Sequence, residues 1–173
     1  MANNMTGRYP VTQKYLMTRG QALNFPAQYF NASFKRDEVY GMVIDIPMAA
    51  DVLTTMVCFI NGAANLYFNN GAEYSGASQK YRNLVQAAHN LVANASPLVA
   101  KAQKTTKFDL PTGRTNFVFL LTKGGVYKVE IQAGIIPEDE PEKRSIYVLY
   151  QRVLGELRNC QLKDDAEQRK AAK

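Results

Sequence analysis

The loop Gly71–Ser78 carries the spacing in this chain that comes nearest to a chemical motif. Gly71-x4-Gly76 has the glycine interval of a phosphate-cradling loop. A strand is expected before it and a helix after it, and the free N–H groups at a helix N-terminus attract anions. The pattern then fails, because Ala77 stands where the phosphate-gripping lysine must be. Asn70, Gly71, Ser75, Gly76, Ser78 and Lys80 are left as candidates for an anion or small ligand. The plainer expectation is a flexible connection with Ser78 as the helix N-cap.

Other reactive residue types are sparse. His89 is the single histidine, and the two cysteines, Cys58 and Cys160, bear no spacing relation to it. A metal site usually needs several such ligands, so no metal and no cofactor is expected. A Cys58–His89 dyad would need a third group to orient the histidine, and none can be named. Both thiols read as small core residues, not as a disulfide framework. Asp45 interrupts an apolar strand; a buried carboxylate is costly unless paired, so a solvent-facing or edge position is expected. Asp51 and Asp109 stand in no motif with it. No catalytic residue is assigned. Tyr67, Phe117, Phe119 and Tyr127 fall on expected strands, where aromatics beside basic groups can stack bases. Phe117-Val118-Phe119 lacks the glycine and basic residues of that RNA-binding pattern, so core packing is the preferred reading.

The elements that must position these residues are clearer. Asn61-Gly62 separates Thr54–Ile60 from Ala63–Phe68, and Gly124-Gly125 separates Thr115–Thr122 from Val126–Ala133. Such dipeptides accept the positive φ of tight hairpins. Val39–Pro47 alternates with a period of two and reads as a first strand, with Pro47 ending it or placing it at an edge. Tyr81, Leu84, Val85, Ala88, Leu91, Val92 and Ala95 form one face of a helix over 78–95. Ser96-Pro97 interrupts it and can begin a short second helix to about Ala102. Ile146, Leu149, Tyr150, Val153, Leu154, Leu157 and Cys160 give a last stripe, with Ser145 as its cap. Lys163–Lys173 reads as a fraying polar tail.

The order β-β-β-α-β-β-α predicts an α+β domain over 39–162: a five-stranded antiparallel sheet with two main helices on one face. Residues 1–38 form a basic, partly ordered N-terminal arm. Met1–Gly7 is expected to be disordered, and Phe25, Tyr29, Phe30 and Phe34 are expected to pack on something. Phe117–Leu121 is apolar on both faces, so both faces need covering. Either the Phe25–Phe34 segment does this, or a second subunit does. In the first case Phe25→Ala should cost about 3 kcal/mol or more. In the second, the four aromatics are interface candidates.

Charge is unevenly placed. The net charge is +6. Residues 1–36 hold five basic groups and no acid, and Lys80–Lys128 holds eight basic groups against Asp109 alone. From Glu138 to Glu142 the balance reverses, with four acids in five residues. Such blocks fit a nucleic-acid or acidic-partner surface, although the basic groups are scattered along the chain. An apolar fraction of 46%, with 10 Tyr and 8 Phe, is enough for a real core. No apolar run reaches the roughly 18–20 residues of a membrane helix. The N-terminus lacks a signal-peptide core, so a cytoplasmic location with no membrane partner is expected.

The order of elements, with the strings Tyr40-Gly41-Met42-Val43, Ala64-Asn65-Leu66-Tyr67-Phe68 and Phe117-Val118-Phe119-Leu120-Leu121-Thr122-Lys123-Gly124-Gly125-Val126, resembles small bacterial proteins of the profilin-like and roadblock/longin-like group. The matching stretches are Val39–Ser78 and Arg114–Glu130. The resemblance implies a two-layer fold that often acts by dimerising and binding regulatory partners; it transfers no functional residue. The preferred expectation is a non-enzymatic interaction or regulatory module whose partner is a second copy of itself in a homodimer, or another protein. A small-ligand sensor and a weak nucleic-acid binder using the Lys80–Lys128 surface are the alternatives.

Overall fold

A computed structural model describes residues 9–30, 33–135 and 138–172. Met1–Gly7 and the Asn31-Ala32 step of the aromatic segment lie outside the described residues. Three α-helices are present among the described residues: α1 (Gln13–Leu23), α2 (Arg82–Ala93) and α3 (Pro141–Ala171). The strands are β1 (Gly41–Ala49), β2 (Val52–Phe59), β3 (Ala64–Phe68), β4 (Glu73–Tyr74), β5 (Gln103–Thr105), β6 (Thr115–Thr122) and β7 (Gly125–Gln132). They form one antiparallel sheet in the order β4-β3-β2-β1-β6-β7-β5.

The sheet therefore has seven strands, not five. The additional strands, β4 and β5, have 2 and 3 residues. They are too short to show a period of two, and they lie in segments that read as loops. They occupy the two edges of the sheet, where short strands are a common ending.

Both expected hairpins form. Phe59 N–H donates to the Ala63 carbonyl, and Gly62 N–H donates to that of Phe59. Gly62 has φ +91°, and a Cβ there would come within 2.4 Å of Val85 Cγ1 on α2. Glycine is needed twice over, for the turn and for the close approach of the helix. The second turn falls one residue early, on Lys123-Gly124, with Gly125 opening β7 at φ 130°.

β1 is the middle strand, and its faces separate two cores. Met42 and Ile44 point to the first face with Met56, Cys58, Val118 and Leu120, under Leu84, Leu91, Tyr150, Val153 and Leu157 of α2 and α3. Val43 points to the second face with Val57, Phe119 and Leu121. That face is covered by Ala22 and Leu23 of α1, by Phe34, and by partly buried Phe25, Phe30 and Phe108. The fold is thus not two-layered. The chain's own N-terminal segment forms a third layer, which answers the covering requirement of Phe117–Leu121 without a second subunit.

Several boundaries differ from the sequence reading. β1 runs on through Pro47, which is tolerated because pairing with β6 ends at Asp45↔Phe117 and a register irregularity follows Pro47. Thr12 caps α1, a helix absent from the expected order of elements: its side chain accepts from Tyr15 N–H at 3.2 Å. α2 begins at Arg82, so Ser78 is not its cap. α3 begins at Pro141, in the first turn where a missing N–H costs nothing, and not at Ser145. The expected fraying tail after Gln161 is helical to Ala171. No described helix is long and apolar enough to cross a membrane.

Candidate functional site

Several polar groups of the Gly71–Ser78 loop are already engaged within the chain. Gly71 N–H donates to the Phe68 carbonyl, and Gly76 N–H to Asn65 Oδ1 at 3.1 Å. Asn70 Oδ1 accepts from Ala72 N–H, and Ser75 Oγ donates to Glu73. Ser78 Oγ donates to the Gly62 carbonyl and accepts from Ala64 N–H, which ties the first hairpin to the loop. Lys80 Nζ sits 2.9 Å from Asp164 Oδ1 and 2.7 Å from Glu167 Oε2. Lys80, the lysine of the candidate anion site, is neutralised by two carboxylates.

Those carboxylates explain the length of α3. Asp164 accepts from Tyr74 at 2.6 Å, Tyr81 at 2.5 Å and Lys80 at 2.9 Å. Hydrogen bonds from Tyr74, then Tyr81, then Lys80, hold its carboxyl at a pKa of about 2. A cleft of about 710 Å³ lies beside this cluster. Its chemistry is that of a clamp fastening the outer half of α3 to the β4 edge.

The other sparse reactive groups also take structural positions. His89 is exposed, with Nδ1 2.7 Å from the Ile60 carbonyl. Cys58 is fully buried, and burial pushes its thiol up to about 12; burial raises Cys160 as well. A thiol so disfavoured as thiolate is a poor nucleophile. Among the described residues no group of three His, Cys, Asp or Glu is placed to hold a metal ion.

Asp45 overturns its expectation. It is 0% exposed in the middle strand and is gripped by Arg19, itself 4% exposed. Arg19 donates from Nε to Oδ1 at 3.0 Å and from Nη2 to Oδ2 at 2.7 Å. Thr55 donates to Oδ1 at 2.7 Å, so Tyr15, 2.5 Å from the Thr55 hydroxyl, donates to it in turn. Arg19 Nη1 also reaches the Phe108 carbonyl at 2.8 Å, and the guanidinium lies over the Phe119 ring. The network joins α1, β1, β2 and the 106–114 loop. It is fully internal and organises the covered second face.

Phe25, Tyr29, Phe30 and Phe34 do come together, as a cluster with Tyr40 and Phe59 of the same chain. The Tyr40 hydroxyl donates to the Phe25 carbonyl. Tyr29 is the outlying ring, 66% exposed. The group serves as the lid of the second core.

The feature left over is at the opposite edge from Lys80. Lys101, Lys104, Lys107, Lys128 and Lys143 line a groove of about 460 Å³ around β5, with Asp109 and Glu130 as its carboxylates. Register explains the gathering. Lys104 pairs with Tyr127, whose ring packs on the first core, so Lys104 belongs to the helix face together with Lys143 of α3. Lys128 pairs with Gln103 and Phe119 and belongs to the second face. Lysines therefore stand on both sides of the edge strand. Lys128 has Glu130 at 3.3 Å and Lys143 has Glu140 at 3.3 Å. Lys101, Lys104 and Lys107 are exposed, and among the described residues none of them is in an ion pair. The Lys104 side chain lies close over the hairpin, with its Cε 2.6 Å from where a Cβ on Gly125 would stand.

The Lys80–Lys128 surface read from the sequence is thus split: Lys80 goes to the β4 edge and the rest of the lysines named here to the β5 edge. Lys143, inside an acidic stretch, was not legible as part of it. The three-residue interval of Lys101, Lys104 and Lys107 was the available signal. No family model, curated protein or solved structure matches this chain.

Proposed function

We propose that this chain is a non-enzymatic binding module that lays a nucleic-acid strand along its β5 edge. The observation that carries the reading is the convergence of Lys101, Lys104, Lys107, Lys128 and Lys143 on one groove. A lysine on an edge strand can serve only to discourage sheet-to-sheet aggregation. That role accounts for Lys104 but not for lysines brought from the segment before β5, the loop after it, β7 and α3. Lys128 and Lys143 each have a carboxylate at 3.3 Å, whereas among the described residues Lys101, Lys104 and Lys107 have none, and a strand carrying regularly spaced phosphates supplies several anions at once.

The expected homodimer loses its motive, since the N-terminal segment already covers the face that called for a partner. The interaction-module reading is kept, with the partner changed. Binding of a single-stranded 20-mer measured by fluorescence anisotropy across a salt series tests it. If all five lysines meet phosphates, log K should fall with log salt at a slope of about −3.5. An affinity that is undetectable at low salt, or that ignores salt, sinks the proposal.

A further inference from the structure

We infer that Phe117 is a base-stacking platform, covered by Lys128 until a nucleic-acid strand draws that lysine away. The inference rests on the proposed function and names the class of ligand within it: a single strand, whose bases are free to stack. Lys128 and Phe117 stand on neighbouring strands of the second face, with Phe119 opposite Lys128 and Glu130 opposite Phe117. The Lys128 ammonium lies 3.6 Å from the Phe117 ring centroid, close cation–π contact. Its other partner is the largely exposed Glu130 carboxylate at 3.3 Å. Phe119, two residues along, is 0% exposed, whereas Phe117 is only partly buried. Phe117 is thus the aromatic of β6 that meets the groove through Lys128, a groove-lining residue whose ammonium caps the ring.

Lys128 is held by a ring and a solvated carboxylate, both modest partners at a surface. A phosphate entering the groove offers it a stronger one. Once the ammonium turns to the phosphate, the ring face is open beside the strand, where the next base can lie on it. Stacking of this kind tolerates any base, because each has a π face. A duplex, with its bases already stacked, gains nothing from the ring.

The experiment compares three probes of equal charge count: an oligothymidylate, an abasic deoxyribose-phosphate strand and inorganic polyphosphate. On the wild-type protein the oligothymidylate should bind roughly tenfold more tightly than the other two. Phe117→Leu should remove that advantage and leave the abasic and polyphosphate affinities in place. If all three probes bind equally and Phe117→Leu changes nothing, the platform is refuted while the lysine groove stands. If no probe binds at low salt, the groove fails and the platform falls with it. A second measurement avoids any folding defect in the variant: photo-crosslinking of a 5-iodouracil strand to the wild-type chain, mapped by mass spectrometry. A crosslink at Phe117 supports the platform; crosslinks confined to other residues overturn it.

Discussion

Arg19 and Asp45 form a two-pronged ion pair across the second face of the sheet, at 3.0 and 2.7 Å, with both side chains almost wholly shut off from water. The fork of the guanidinium matches the two carboxylate oxygens, and Thr55 and the loop carbonyl of Phe108 take up further hydrogen-bonding capacity. Such a pair adds little net stability compared with apolar residues of the same size, but breaking one half leaves a buried charge alone. Arg19→Met and Asp45→Asn should each lower the unfolding free energy by about 3–5 kcal/mol. A double change to apolar residues should cost less than the two single changes added together. Urea denaturation measures all of these. Single variants within about 1 kcal/mol of wild type would mean that α1 is not held by this pair.

If the N-terminal segment covers the second face, the sequence leads one to expect about 3 kcal/mol or more for Phe25→Ala. Phe25 is only partly buried, although it contacts Tyr29, Phe30 and Phe59. The expected cost of Phe25→Ala therefore falls from 3 kcal/mol or more to about 2 kcal/mol, below the range of a fully enclosed phenylalanine. Phe34→Ala, at a ring 9% exposed, should cost more than Phe25→Ala. Melting curves of the two variants decide the order. A reversed order would place the weight of the lid on Phe25 and its contacts with Phe30 and Phe59 instead of on Phe34.

These two positions show what was legible in the chain and what was not. The hairpins, the α2 and α3 stripes and the double-faced strand at Phe117–Leu121 follow from local pattern, and each appears in the structure. α1 did not, because its buried face is Tyr15, Arg19, Ala22 and Leu23, and a charged residue on that stripe destroys the apolar period. Arg19 is buried only because Asp45, 26 residues away, is there to meet it. Neither residue alone signals the pairing. The outer half of α3 was missed for a related reason: its polar residues carry no stripe, and its hold on the fold comes from Tyr74, Lys80 and Tyr81 meeting Asp164. Lysines of the β5 groove were visible singly, yet only the strand order puts Lys128 and Lys143 beside Lys104.

The Asp164 cluster gives a pH dependence with a definite sign. Its folded pKa, about 2, lies below the ordinary carboxylate value of 3.8. A carboxyl with a depressed folded pKa contributes stability that is complete above its unfolded value and is lost as pH falls through its folded value. The difference in melting temperature between wild type and Asp164→Asn should thus be full at pH 6 and shrink between about pH 4 and pH 2. Tyr74, Tyr81 and Lys80 all donate to this one group, so the loss should loosen the end of α3 first. Hydrogen exchange on residues beyond Gln161 would report that loosening. A pH-independent difference would assign the effect to the lost shape of the carboxylate and not to its charge.

Charge reversal at the two sheet edges separates a site from a merely basic protein. Lys80 and Lys104 are both exposed lysines, but β4 and β5 stand at opposite ends of the sheet order. Lys80 is committed to Asp164 and Glu167, whereas Lys104 and Lys107 face the groove. If binding answered only to net charge, Lys80→Glu and Lys104→Glu would weaken a single strand equally, since each changes the net charge by the same amount. With a localised groove, Lys104→Glu and Lys107→Glu should each weaken binding several-fold and make the salt slope shallower by about 0.7. Lys80→Glu should leave affinity nearly unchanged, and its cost should appear instead in stability, where it sets a third carboxylate against Asp164 and Glu167. Anisotropy titrations of the three variants at two salt concentrations make the comparison. Equal losses at both edges would show that the strand follows the overall charge, and the groove at β5 would then have no claim to be a site.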